Sequence, residues 1–377
     1  MKRSAYPLYI SIAIIVIFIH QLPVFSSGSF DDDRVYTRAE IIKMEKKKVA
    51  GDKNYPLIET KVHLEILDGE FKGKTKIATF SGENDMPGDM FYKEGDVVFI
   101  GVSTVGMKDT IEYISLYDVD NTGMIIIITI LLAAAVILIG RVKGLFSLTA
   151  LVITILLLFF VLIPLTLKGY PPLPLAVLIA IISICITLPV IAGLHLKTLS
   201  AVLGAAGGII FSALLAMVLG KLMHLSGLVT NEMLTVFYAS DVNIDLRGLA
   251  LSSMIIAALG AIMDVCISIA SSTAEIFAAN PDINRKDAFK SVLNIGTDIL
   301  GSMVNTLILA YVGSSLSLIL LISMRFDPGM PVWMIFNYNP ILSEIVKSVV
   351  GSLGMFLSIP LTAYIAVWFY SRKESTV

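Results

Sequence analysis

The stretch GAIMDVCISIASSTAE, residues 260–275, decides the fold. It lies inside an apolar run from 249 to 279, longer than the ~20 residues a helix needs to cross a bilayer. Yet it carries two carboxylates, Asp264 and Glu275. A charge near the bilayer centre costs at least ~2.5 kcal/mol, and such residues face a bundle interior or a watery cavity, not lipid. The run reads as a spanning helix with one polar face.

The rest of the chain agrees with that reading. Of its 377 residues 56% are hydrophobic and only 15% charged, with a mean hydropathy of +0.84. Soluble domains carry roughly 25% charged residues, so the class is an α-helical polytopic membrane protein whose first partner is the lipid bilayer. A net charge of −2 and the lack of any dense basic patch give no reason to expect a nucleic-acid partner. Cys185 and Cys266 both sit in apolar runs and read as small core residues, not as a disulfide or ligands.

Eight runs are long enough to span: 6–25, 122–140, 144–167, 174–194, 198–222, 249–279, 288–324 and 340–370. Lys2, Arg3, Arg141, Lys143, Lys197, Arg285, Lys286, Lys290, Arg372 and Lys373 fall on one side of this ladder, which the positive-inside rule makes cytoplasmic. Both termini are then expected inside a cell membrane and residues 26–121 outside it. The first run, 1–25, fits an anchor, and its basic start followed by VFSSG also fits a cleaved secretory signal.

Residues 26–121 differ in character. Period-two alternation in KVHLEIL (Val62, Leu64, Ile66), TKIATF, DVVFIGV and IEYISLYDV, set between turns such as DGEFKGK, predicts a small exported β-sheet or barrel domain, about 70 residues of it compact in the manner of an oligonucleotide-binding barrel. DGEFKGKT ends like a phosphate-binding loop, but Asp68 replaces the first glycine and the stretch joins two strands. The remainder, 122–377, is a seven-helix transmembrane domain. With no nucleotide-hydrolysis motif, transport work would draw on a gradient or a partner.

On the sixth run Asp264, Ser268, Ser271 and Glu275 are spaced 4, 3 and 4 apart and share one stripe. The seventh repeats the pattern with Asn294, Asp298, Ser302 and Asn305, and Gly296 and Gly301 permit close helix approach. NPDINRKD joins the two as a hairpin. If the stripes face each other, Asp264 meets Asn305 and Ser302, while Asp298 meets the two serines. Carboxylates with amide and hydroxyl oxygens form a hard-ligand set for a proton, Na⁺ or a divalent ion, so no cofactor is expected beyond a bound cation. Ser268, Ser271 and Asn294 also suit plain interhelical hydrogen bonds, and Glu275 lies near the boundary. Glu344 and Lys347 read as an ion pair, His195 and His224 as interfacial. A shift of 90 residues aligns SAVLGAAGGIIFSA (200–213) with KSVLNIGTDILGSM (290–303), putting Gly204 and Gly208 opposite Asn294 and Asp298.

The runs LGAIMDVCISIASSTAEI and NIGTDILGSMVNTLILAYVGSSL, with FFVLIPLTLKGYPP, DLRGLALSSMII and IVKSVVGSLGMFLSIPLTA, resemble the YibE/F-like multi-pass membrane family, and GEFKGKT extends the resemblance into the β region. The polar stripes show no departure from the family pattern. The resemblance implies a transporter-like architecture and no particular substrate.

The leading expectation is an ion-coupled secondary transporter or permease, not an enzyme, moving a small solute or ion and open to assembly as a homo-oligomer. A second reading is a membrane scaffold or sensor whose exported domain binds a partner. A third, an intramembrane aspartyl hydrolase, is opposed by Thr297, which stands where the Gly-x-Gly-Asp signature has its second glycine.

Overall fold

A computed structural model describes residues 34–52, 55–83, 92–104, 111–239, 244–324 and 331–373. The expected first run, 6–25, lies outside the described residues. The chain divides into two compact units, one holding a β-sheet and ending at Ala135, the other holding the helices from Val136 onward.

The sheet unit has five antiparallel strands: β1 (Arg34–Asp52), β2 (Tyr55–Ile66), β3 (Thr75–Glu83), β4 (Val97–Thr104) and β5 (Ile111–Val119). Their order is β3-β2-β1-β4-β5. β3 and β5, the two edges, approach each other, so the sheet curls toward a partly open barrel. Alternation explains its core. Val62, Leu64 and Ile66 point inward from β2, Val98, Ile100 and Val102 from β4, and Phe71 closes over them from the turn between β2 and β3. Each aliphatic side chain fully buried this way contributes roughly 1.5–3 kcal/mol.

The turn is the DGEFKGK stretch, as predicted, with Gly69 and Gly73 at φ near 80° and the Gly73 N–H donating to the Ile66 carbonyl at 2.7 Å. The central strand, β1, went unread in the sequence. A bulge between Ile41 and Lys43 breaks its alternation, leaving Ile42 exposed while Ala39 and Ile41 are buried.

Among the described residues, six helical stretches are long and apolar enough to cross a membrane. The first, Thr122–Leu167, is 46 residues and twice the needed length. It comprises α1 (Thr122–Leu157), a π-helical turn at Leu158–Leu162 and α2 (Ile163–Leu167). Arg141 interrupts α1 with φ 50° and ψ −131°. A Cβ on Gly144 would lie 2.2 Å from the Val136 carbonyl oxygen, whereas eight residues of straight helix would separate the two by ~12 Å. The chain therefore turns back sharply here, between the two runs expected at 122–140 and 144–167.

α3 (Pro172–Ala192), α4 (Leu196–Leu222), α6 (Leu246–Ala279), α7 (Arg285–Ser314) and α10 (Asn339–Lys373) are the other long helices. Shorter ones lie between them: α5 (Asn231–Ala239), α8 (Leu316–Ser323) and α9 (Val332–Phe336). The expected run 288–324 is corrected by this division. Gly313, Ser314 and Ser315 are poor helix formers in succession, and α7 stops there before α8 begins.

Within the helical unit α4, α6 and α10 pack most closely, with α3 and α7 against them. Small residues make the close approach possible, as van der Waals packing in a bilayer requires. A Cβ on Gly204 would fall 1.9 Å from Thr362 Oγ1, one on Gly208 2.9 Å from Ser358 Cβ, and one on Gly354 1.8 Å from Ser212 Oγ. Met254, Ile255, Ile262 and Ile269 fill the space on the α6 side.

Candidate functional site

α6 starts cleanly because Asp245 Oδ1 accepts the Gly248 N–H at 2.9 Å, and Asn284 Oδ1 caps α7 through the Lys286 N–H at 3.3 Å. Asp264 stands 15 residues from the end of α6 and Asp298 stands 13 from the start of α7. At 1.5 Å per residue these are roughly 22 and 20 Å from the connecting turn, so the carboxylates sit at comparable depth near the middle of their spans.

Both stripes face outward. α7 packs through Ala288, Val292, Gly296, Leu307 and Tyr311. Gly296 is the tightest point, where a Cβ would lie 2.5 Å from Ile359 of α10 and 3.2 Å from Ile269 of α6. Asp298 and Asn305 lie roughly 160–180° around the helix from that contact. They are exposed, together with Asn294, Thr297, Gly301, Ser302 and Thr306. On α6, Asp264 and Glu275 are exposed and Ser268 and Ser271 half-exposed, while the opposite side holds the core residues.

The stripes are longer than the sequence reading made them. Ser253, Ala257 and Gly260 continue the α6 stripe, and Thr297 and Thr306 widen the α7 one. The same three- and four-residue spacing already contained that signal.

The cross-stripe pairs expected of Asp264 with Asn305 and Ser302, and of Asp298 with the serines, are not made as hydrogen bonds among the described residues. Hydroxyls turn to their own helix instead: Ser268 donates to the Asp264 carbonyl at 2.7 Å, Thr297 to that of Asn294 at 2.7 Å and Thr306 to that of Ser302 at 2.9 Å. Nor do three His, Cys, Asp or Glu side chains come together as a metal cluster among the described residues. What remains is a pair of bare carboxylates and two amides, Asn294 and Asn305, presented at mid-span.

Elsewhere, Lys347 Nζ donates to Glu344 Oε1 at 3.3 Å and lies 5.2 Å from the centre of the Tyr311 ring. Cys266 is buried, whereas Cys185 is exposed on α3 and so is not the core residue expected; neither is in a disulfide. His195 and His224 are exposed at the two ends of α4. A cleft of about 500 Å³ between α5 and the start of α6 is lined by Ser226, Phe237, Asp245 and Arg247. Both of its charges serve the fold, Asp245 as the cap and Arg247 by donating to the Leu225 carbonyl at 2.7 Å.

A match to the YibE/F-like protein family covers residues 128–372, most of the chain and all of α3 to α9. The chain belongs to the YibE/F-like family. The matched region contains both stripes and leaves the sheet outside it, so the polar faces of α6 and α7 are part of the YibE/F-like domain itself. Neither the curated proteins nor the solved structures contain a match to the chain.

Proposed function

We propose that this YibE/F-like chain is an ion-coupled secondary transporter or permease for a small solute or ion, in which Asp264 and Asp298 bind the coupling cation or proton. The observation that carries this reading is their placement: two carboxylates at matching depth in helices long and apolar enough to span, neither of them held by a side-chain hydrogen bond or ion pair among the described residues. A merely structural polar residue at that depth has cheaper alternatives in serine or asparagine. Asn305, Ser302, Ser268 and Ser271 supply neutral oxygens around the two acids, and Glu275, roughly 6 Å from the α6 terminus, suits the cytoplasmic mouth of the same path. Both termini are cytoplasmic in this proposal and residues 26–121 lie outside the cell.

Purified protein in liposomes tests it. Proton- or Na⁺-gradient-dependent solute flux should be present in the wild type and lost in Asp264→Asn and Asp298→Asn, which keep shape and hydrogen bonding but remove the charge. Folded double variants with wild-type function in cells would return both residues to a structural role.

A second reading rests on the sheet, where Tyr36, Phe99 and Tyr117 form an exposed aromatic face around Gly101, with Tyr36 and Tyr117 ring centres 5.7 Å apart. Exposed clustered aromatics suit a partner surface. A chain acting as scaffold or sensor through this face would tolerate neutral residues at 264 and 298.

A further inference from the structure

We infer that the last third of α7, remote from the α6–α7 turn, is a hinged segment latched to α10 by Tyr311, which sits between Gly351 and the Lys347–Glu344 ion pair, and that its release opens the junction of α6, α7 and α10 to water. The latch stands on packing alone, and only its consequence for the carboxylates rests on the transport reading.

Two contacts of different kinds attach α7 to its neighbours. Its first half is seated sterically: Ala288, Val292 and Gly296 are buried, and Gly296 leaves no room for a Cβ against Ile359 and Ile269. From Asn305 to Ser314 every residue is exposed except Leu307 and Tyr311. Those two side chains meet α10 at Gly351, whose would-be Cβ lies 3.2 Å from Leu307 Cδ2, 3.3 Å from the Tyr311 hydroxyl and 3.5 Å from Ala258 Cβ of α6. One turn away on α10, the Lys347 ammonium lies 5.2 Å from the centre of the Tyr311 ring and 3.3 Å from Glu344 Oε1. Glu344 belongs to α10 itself, so Lys347 reaches α7 through the ring face. An ammonium can exchange such a contact for water, whereas a steric seat has no such substitute. Between seat and latch stand Gly301 and Ser302, the kind of pair at which helices bend, and nothing lies within 4 Å of a Cβ on Gly301. The hinge is there.

The junction under the latch also holds polar groups that the closed arrangement leaves unsatisfied. The Tyr311 hydroxyl, Ser343 Oγ and Ser352 Oγ are buried without a hydrogen-bond partner among the described residues, which are 7%, 4% and 8% exposed at these positions. Ser343 stands four residues before Lys347 and eight before Gly351, hence on their side of α10. Ser352 stands seven residues before Ile359, on the side that meets Gly296. Buried hydroxyls are ordinarily hydrogen-bonded, and leaving one unmade costs its full desolvation. Swinging the end of α7 away from α10 brings water to the Tyr311 and Ser352 hydroxyls, which offsets the lost ring contact and leaves the segment balanced between two arrangements. Asp298 precedes the hinge and stays with the seat. Asn305 follows it and travels, so that in the transport reading the latch sets the spacing between this amide and the carboxylate.

The test uses the full chain in lipid nanodiscs, with Cys185→Ser and Cys266→Ala, and follows the rate at which a small water-soluble methanethiosulfonate modifies one new cysteine. Ser352→Cys reports on the junction, and Val292→Cys, buried in the seated half of α7, reports on general loosening. Lys347→Met should speed modification at 352 by about fivefold, the weight of a partly desolvated cation–π contact, and leave 292 unchanged. Lys347→Arg keeps a cation for the ring and a donor for Glu344, and should restore the slow rate. Tyr311→Phe keeps the ring face and removes the hydroxyl that only the open arrangement satisfies, so modification at 352 should slow; this conservative variant decides the matter if Lys347→Met fails to fold. An unchanged rate at 352 in either variant, equal acceleration at 292, or a Lys347→Arg protein as fast as Lys347→Met would overturn the latch. Because modification is read without flux, its failure leaves the transport reading standing, and flux that survives Asp264→Asn and Asp298→Asn leaves the latch standing.

Discussion

Gly296 of α7 lies so close to Ile359 of α10 that a Cβ on it would come within 2.5 Å of Ile359 Cγ2. That contact fixes the rotation of α7 about its own axis. With Gly296 inward, Asp298 two residues later is turned to the outside of the unit.

Gly296→Val should therefore damage packing without touching a charged group. Overfilling a close-packed contact costs ~1–3 kcal/mol, and the thermal midpoint in detergent should fall accordingly. Gly313→Ala is the control, since nothing lies within 4 Å of its would-be Cβ, and its midpoint should not fall. Equal loss in both variants would mean that α7 is not seated on Gly296.

The sheet unit should loosen in acid. Arg38 Nε donates to Asp68 Oδ2 at 2.7 Å and its Nη1 to Asp120 Oδ2 at 3.4 Å, which raises the guanidinium pKa further. The Thr122 side chain and backbone N–H, followed by Arg38, hold the Asp120 carboxyl below the usual carboxylate range. A carboxyl lowered in this way stabilises the fold above its unfolded pKa of ~3.9 and ceases to do so as pH falls through the folded value. Hydrogen exchange of β1 and β4 amides, corrected for intrinsic rates, should accelerate below that range in the wild type and change less in Asp120→Asn. Because the Arg38 guanidinium is exposed, added salt should shrink its part of the effect. Identical acid profiles for both proteins would sink this account.

Much of this architecture was legible because its causes are local. Val62, Leu64 and Ile66 alternate, and they are buried; the DGEFKGK turn carries glycines where positive φ is needed, and it joins β2 to β3. The polar stripes were legible for the same reason, since the spacing of Asp264, Ser268, Ser271 and Glu275 fixes a common side whatever surrounds the helix. Rotation was not. Which side of α7 meets its neighbours depends on Gly296 finding Ile359 more than sixty residues away, and spacing within one helix carries no such information. β1 was hidden differently, because the bulge at Ile42 and Lys43 shifts the inward side of the strand midway and cancels the period-two signal.

Orientation can be checked by labelling. The Lys/Arg asymmetry of the short loops predicts that the sheet lies outside the cell and the α6–α7 turn inside. In a Cys185→Ser background, Lys93→Cys should react with an impermeant maleimide in intact cells, and Asp282→Cys only after permeabilisation. The reverse pattern would invert the topology and move Glu275 to the other mouth of the proposed path.

The same carboxylates predict a cation-dependent stability. Whatever binds the folded state and not the unfolded one stabilises it by mass action, about 2.7 kcal/mol at one hundred times the dissociation constant. Asp264 and Asp298 have no protein partner for their charge among the described residues, so a cation entering the site gains attraction without displacing an existing ion pair. The thermal midpoint of purified protein should rise with Na⁺ or with a divalent salt, beyond what choline chloride at equal ionic strength produces. Asp264→Asn and Asp298→Asn should lose that increment. Their midpoints without added ion should stay level or rise, since each variant removes a charge that the membrane interior penalises by ~2.5–3.5 kcal/mol. A fall in the ion-free midpoint, with the salt response intact, would make the aspartates structural. A salt response absent from the wild type, with flux driven by a pH gradient alone, would leave the proton as the ion these two residues carry.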